Sequence, residues 1–188
     1  MTAAATSYVT LTPVERAELL RLARETIGAV LRRQQPPTCR VSTAALTEPA
    51  GVFVSLHQDG RLRGCIGTIM PDGPLYETVC RMAVSAAFDD PRFPPLDETE
   101  LARTVIEISR LGPLSPSRPD QIRLGTHGVC LFQAQHRSVF LPQVATRYNW
   151  DREILLNELC LKAMLPADTW KHPDTVLMLF EAEVFSED

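Results

Sequence analysis

The runs Gly51-Val52-Phe53-Val54-Ser55-Leu56 and Leu62-Arg63-Gly64-Cys65-Ile66-Gly67-Thr68-Ile69, joined through Gln58-Asp59-Gly60-Arg61, decide how this chain folds. Both runs are rich in β-branched and aliphatic residues, and Asp-Gly between them is a strong short-range hairpin signal. With a two-residue turn, Gln58 pairs with Arg61, Leu56 with Arg63 and Val54 with Cys65. Alternation along the strand then puts Arg61, Arg63 and Cys65 on one face, and Leu62, Gly64 and Ile66 on the other with Phe53.

Helical signals flank this hairpin. Thr12-Pro13-Val14-Glu15 reads as an N-cap, a proline at the first helical position and a glutamate closing a capping box. The stripe Leu20, Ala23, Ile27, Val30, Leu31 has helical spacing. Pro36-Pro37 stops that helix, and residues 38–50 read as an irregular wrap. Gly73-Pro74 opens a second helix over Leu75–Phe88 with an apolar face of Leu75, Val79, Met82, Ala83 and Ala86. The prolines of Asp89-Asp90-Pro91-Arg92-Phe93-Pro94-Pro95 force an extended loop.

Beyond it, Val105–Ser109 alternates as a half-buried strand, and residues 113–121 read as a polar connection. A second hairpin is expected over Val129–Ala134 and Ser138–Leu141, across Gln135-His136-Arg137. Pro142 and Asp151 each start a helix, and Thr175–Phe185 reads as one final strand. Strands linked mainly by hairpins, without regular βαβ alternation, predict an α+β fold with a mainly antiparallel or mixed sheet covered by helices.

The chain has 188 residues, 45% of them hydrophobic, enough for a sizeable core. No apolar run approaches the ~18 residues of a membrane span, and the first residues lack the pattern of a signal peptide. A cytoplasmic protein is expected. A net charge of −4 opposes nucleic-acid binding by bulk electrostatics. The five cysteines are odd in number and show no Cys-x-x-Cys pair, which disfavours a disulfide framework or structural zinc. Without a Gly-rich phosphate loop, a His-x-x-x-His pair or a serine nucleophile elbow, no metal or cofactor is expected.

Chemistry concentrates on the second strand of the hairpin. The nucleophilic form of cysteine is the thiolate, which a nearby guanidinium favours, so Arg63 and Arg61 beside Cys65 describe an anion or carbonyl site. Gly64 and Gly67 leave room for a ligand or another backbone. Arg92 could bind an anion with Phe93 as an aromatic wall, or that loop could be a rigid connector plugging the core with Phe93 and Leu96. Local features alone favour the other reading of Cys65, as a small buried hydrophobe. Of the possible bases, His57 faces away from Cys65 in the simple register, while His127, in a turn, could reach it through the fold. Asp89 and Asp90 could serve as acid or base, against the usual reading of helix-end carboxylates as solvated.

The same residues carry a resemblance. Leu62-Arg63-Gly64-Cys65-Ile66-Gly67 resembles the hallmark of the AMMECR family, called AmmeMemoRadiSam system protein A in bacteria. Gly51–Leu56 with Asp59-Gly60-Arg61 resembles its lead-in, and Ala86-Ala87-Phe88-Asp89-Asp90-Pro91-Arg92-Phe93-Pro94-Pro95-Leu96 its second signature. Glu107-Ile108-Ser109, His127-Gly128, Phe140–Ala145, Trp150–Glu153 and Leu159–Ala163 follow in order, so the likeness spans residues 12–185. Met164, where the family usually has glycine, and Thr126, where a basic residue is more typical, depart from it.

The resemblance implies one domain over residues 12–188 after a flexible lead-in of residues 1–11, with a larger and a smaller subdomain and a cleft between them. It also implies association with Memo-like and radical-SAM proteins. It brings no settled activity. An enzyme using Cys65, Arg63 and His127 on a small carbonyl- or phosphate-bearing substrate, and a non-catalytic ligand-binding or protein-interaction module, both stay open.

Overall fold

The computed structural model describes residues 9–71 and 73–187, so most of the expected flexible lead-in lies outside the described residues. The chain forms two compact units, residues 1–111 with 183–188, and residues 112–182.

The first unit contains α1 (Pro13–Leu31), α2 (Ala44–Thr47), β1 (Val52–Gln58), β2 (Arg61–Thr68), α3 (Leu75–Phe88), α4 (Glu98–Leu101) and β3 (Val105–Leu111). The expected capping box is formed: the Glu15 backbone N–H donates to Thr12 Oγ1, and Glu15 accepts from the Thr12 backbone N–H. The buried stripe of α1 runs through Leu19, Leu22, Ala23 and Ile27, rotated from the expected one, and Val30 is exposed. The short α2 and α4 interrupt stretches too brief for a periodic signal.

Asp59 and Gly60 both have positive φ, at 49° and 72°. They form the two-residue hairpin turn whose twist matches the flanking strands. β1 pairs antiparallel with β2 and with β3. Val54, Leu56, Ile106 and Ile108 turn one face of this sheet into a fully buried core with Leu19, Ile27, Val79 and Ala83 of the helices. Each such aliphatic side chain contributes about 1.5–3 kcal/mol on burial.

The second unit contains β4 (Ser115–Ser117), β5 (Gly128–Gln133), β6 (His136–Phe140), α5 (Pro142–Arg147), α6 (Arg152–Lys162) and β7 (Val176–Phe180). Its sheet has the order β4-β7-β5-β6. Leu131, Leu156, Leu159 and Cys160 form its own core. The expected polar connection over residues 113–121 contains the short edge strand β4, and an edge strand is where Pro116 is tolerated. The hairpin turn is Ala134-Gln135, with His136 already paired to Gln133.

The expected single strand over Thr175–Phe185 is two strands. It breaks at Glu181, and β8 (Ala182–Ser186) joins the first sheet, whose order is β2-β1-β3-β8. A mostly apolar run hides this break, because β-prone residues continue on both sides of Glu181 although only Phe185 of β8 is buried. The fold is therefore α+β with two helix-associated sheets rather than one. No helix among the described residues is long and apolar enough to cross a membrane.

Candidate functional site: the cysteine face of the first sheet

A bulge in β2 changes which residues share a face. Gln58 pairs with Arg61 and His57 with Leu62, but Leu56 pairs with Gly64, leaving Arg63 as the extra residue. Beyond the bulge Ser55, not Val54, stands opposite Cys65, and Phe53 opposite Gly67. The expected face of Arg61, Arg63 and Cys65 is thereby corrected. Bulges re-aim a side chain without leaving a compositional mark, so the simple register was one residue out.

Arg63 goes to the helix-covered side. Its Nε and Nη2 donate to the two carboxylate oxygens of Glu100, each at 2.8 Å, and Nη2 also donates to the Pro94 carbonyl at 2.9 Å. Its side chain is only 10% exposed, and the Glu100 carboxylate is held below its usual range mainly by this guanidinium. Gly64 faces the same way: a Cβ there would stand 2.2 Å from the Ala86 carbonyl oxygen of α3. At Gly67 a Cβ would stand 2.3 Å from the Phe53 ring. Packing thus accounts for both glycines, and Arg61 lies exposed at the hairpin tip.

Cys65, half-buried, points to the opposite face. The Ser55 hydroxyl donates to its Sγ at 3.3 Å. Across the next strand pair Ser55 stands opposite Glu107, and His57 Nε2 lies 4.0 Å from Glu107 Oε1. His57, expected to face away from Cys65, shares its face.

β2 is an edge strand, so the backbone groups of Cys65 that point away from β1 need other partners. Asp90 Oδ2 accepts from the Cys65 N–H at 2.9 Å, and Arg92 Nη2 donates to the Cys65 carbonyl at 3.3 Å. Arg92 is itself held by Asp90 through Nε–Oδ1 and Nη2–Oδ2 contacts of 2.9 and 2.7 Å. The Asp90 side chain is 2% exposed and that of Arg92 55%, so Asp90 is not the solvated helix-end carboxylate expected. The Arg92 guanidinium, with further help from the backbone N–H groups it receives, holds the Asp90 carboxyl down to about 2. The Arg92 pKa is raised chiefly by Asp90, with a smaller contribution from charge on Cys65. Arg92, through its contact with the Cys65 carbonyl, is the guanidinium held beside this residue.

Phe93 stands between the two arginines, its centroid 5.8 Å from the Arg63 guanidinium carbon and 5.5 Å from that of Arg92. Leu96 plugs the core as one reading of this loop had it.

His127 belongs to the second unit. Its Nδ1 accepts from the Arg123 backbone N–H at 3.2 Å, closing its own turn. The residues brought together in the first unit are therefore Cys65, Arg92 and Phe93, joined by Ser55, His57, Glu107 and Asp90. Strand alternation alone would have placed Ser55 and His57 on one face. Their registration with Cys65 needed the bulge.

Comparison with known proteins bears on the whole chain. The model of the AMMECR1 family matches residues 20–185. A protein of Thermococcus onnurineus is 40% identical over 184 residues, covering 90% of this chain and 89% of that one. Protein MK0488 of Methanopyrus kandleri is 40% identical over 193 residues, covering 95% and 91%. The crystal structure of the uncharacterized protein PH0010 from Pyrococcus horikoshii superimposes with a TM-score of 0.84 at 37% identity, covering 90% of each chain. A match of this extent, in sequence and in fold, shows that the chain belongs to the AMMECR1 family.

Proposed function

We propose that this protein is an enzyme, or an enzyme-like subunit, in which the Cys65 thiolate attacks the carbonyl carbon of a small anionic substrate. Arg92 binds the carboxylate or phosphate of that substrate, and Phe93 walls the site. The observation that carries the reading is the pair of groups around one residue. The Ser55 hydroxyl donates to Cys65 Sγ at 3.3 Å, and the half-exposed Arg92 guanidinium is anchored on the carbonyl of the same Cys65. A hydroxyl donor and a cation both favour the thiolate over the thiol. The Asp90 anchor leaves the outer part of the guanidinium facing solvent, which is what recognition of an anion requires.

A binding role without chemistry has one observation in its favour. Asp90 and Arg92 already close the open edge of β2, so part of their arrangement is explained by structure alone. Association with Memo-like and radical-SAM proteins, implied by the family resemblance, fits either reading, and co-purification with such a partner is its direct test.

Chemical labelling separates catalysis from binding. Burial pushes the Cys39, Cys80 and Cys160 thiols above their ordinary value, and pushes Cys130 up to about 12. Those residues act as internal controls. Iodoacetamide at pH 7, followed by peptide mass spectrometry, should modify Cys65 well ahead of them, and inorganic phosphate should slow that modification through Arg92. Labelling of Cys65 no faster than Cys39 would remove the nucleophile.

A further inference from the structure

We infer that the concavity at the tip of the first hairpin is a binding site for a small monocarboxylate, held by Arg61 and Arg63. It is distinct from the cysteine face and independent of any chemistry at Cys65.

The bulge builds this site. Gln58 closes the hairpin against Arg61, Leu62 stands opposite His57, and Arg63 is the extra residue of β2. Together with the turn, these residues enclose a cavity of about 500 Å³ whose walls, among the described residues, are Gln58, Asp59, Arg61, Leu62 and Arg63. That volume lies within the ordinary range of small-molecule sites.

Two of the walls are fixed and the turn is not. Gln58 Nε2 donates to the Glu100 carbonyl at 3.2 Å and to Thr104 Oγ1 at 3.1 Å, so its amide is tied to α4 and the residues after it. Arg63 is tied to α4 as well, with its Nε–Nη2 edge spent on the Glu100 carboxylate and Nη2 also on the Pro94 carbonyl. Its Nη1, away from that edge, is buried and has no hydrogen-bond partner. A buried donor without an acceptor costs free energy, which a ligand oxygen entering the cavity recovers. Asp59, Gly60 and Arg61 are exposed. Exposed side chains and turns move within nanoseconds, so the tip is the part of the wall that shifts to admit a ligand to Nη1.

Charge selects the ligand. Arg61 and Arg63 supply two guanidinium groups, and a carboxylate can accept from both through its two oxygens. Asp59 and the Glu100 partner of Arg63 balance those cations before anything binds. A singly charged anion therefore leaves a smaller excess of negative charge than a doubly charged one, and the Asp59 carboxylate discriminates against phosphate dianion.

Chemical-shift titration of the full, 15N-labelled chain tests this. The backbone amides of residues 58–63 and the arginine Nε–H groups are followed as acetate, and separately inorganic phosphate, is added at constant ionic strength and pH 7. Acetate should shift the Arg61 and Arg63 signals and saturate at roughly millimolar concentration, as expected for so small a ligand. Phosphate should bind there more weakly. Arg61→Gln should weaken acetate binding about fivefold. Asp59→Asn, which suits the same positive φ, should strengthen phosphate binding and narrow the preference. Arg63→Lys keeps the charge but not Nη1 and should abolish saturation. Arg92→Gln should leave the acetate shifts at the tip unchanged.

Shifts that never saturate, or that survive both Arg61→Gln and Arg63→Lys, overturn the site. Phosphate binding as tightly as acetate overturns the choice of a monocarboxylate. Loss of the tip shifts in Arg92→Gln overturns its separation from the cysteine face. The Arg61 and Asp59 variants, both at the exposed tip, keep the test decisive where Arg63→Lys disturbs the fold.

Discussion

At Asp90, one buried carboxylate closes a strand edge and aims an arginine. Its pKa of about 2 lies below the ordinary 3.8. The stability it contributes is therefore fully present above pH ~3.8 and lost as pH falls through about 2. Asp90→Asn should lower unfolding stability by roughly 2 kcal/mol at pH 7, because the amide cannot accept the same charged donors. That deficit should shrink steadily between pH 4 and pH 2, as the wild-type carboxyl is itself protonated. Denaturant midpoints of both chains across that range give the answer, and a penalty constant with pH would mean the charge is irrelevant. Arg63 makes a contrasting case. Its fork on Glu100 lies on the helix side of the sheet, so Arg63→Ala should cost about 3 kcal/mol by leaving a carboxylate unpaired. Arg63→Lys, which keeps the charge but not the fork, should lose stability while the Cys65 alkylation profile stays where it is. A displaced profile would return Arg63 to the site.

Among the elements, those carrying their own local chemistry were legible in the sequence. α1 announced itself through Thr12, Pro13 and Glu15, α3 through its apolar face from Gly73-Pro74 onward, and the first hairpin through Asp59-Gly60. What alternation could not supply was the bulge at Arg63, because an inserted residue shifts register without altering composition. That single residue moved Arg63 off the site and brought Ser55, Glu107 and His57 onto it. The helix α6 shows a departure that could be read in advance. Met164, flagged as standing where the family usually has glycine, has φ 60° and is 85% exposed. Leu165 N–H reaches the Cys160 carbonyl and Met164 N–H the Leu161 carbonyl, the bond pair of a helix end that favours glycine in the left-handed position. Met164→Gly should therefore stabilise the protein by roughly 1 kcal/mol, the strain of a side chain in that conformation less the extra entropy of an unfolded glycine. Calorimetry should record a rise of about 2–4 °C for a chain of this size, and an unchanged or lower midpoint would mean the methionine is not strained.

At the scale of the whole molecule, the chain leaves the first sheet after Leu111 and re-enters it at β8, with the second unit, residues 112–182, inserted in the sequence between strands β3 and β8. This explains why the terminal apolar run had to break at Glu181: its halves complete different sheets. Each unit has a core of its own, Leu56, Ile106 and Ile108 in the first and Leu131, Leu156 and Leu159 in the second, all fully buried. Separate cores allow separate opening, since cooperative units follow contiguous packing. Leu159→Ala removes a side chain from the second core and should cost about 2–5 kcal/mol there. Native-state hydrogen exchange is the measurement that resolves where the loss is felt. Amides of β5, β7 and α6 should lose protection by the full amount, while those of β1 and β3, including the strand positions that carry Ser55 and Glu107, keep theirs. The reciprocal change, Ile108→Ala, should expose β1 and β3 and spare β5. If both substitutions accelerate the slowest amides of both units equally, the two cores unfold as one, and the stability of the cysteine face is set by the entire chain.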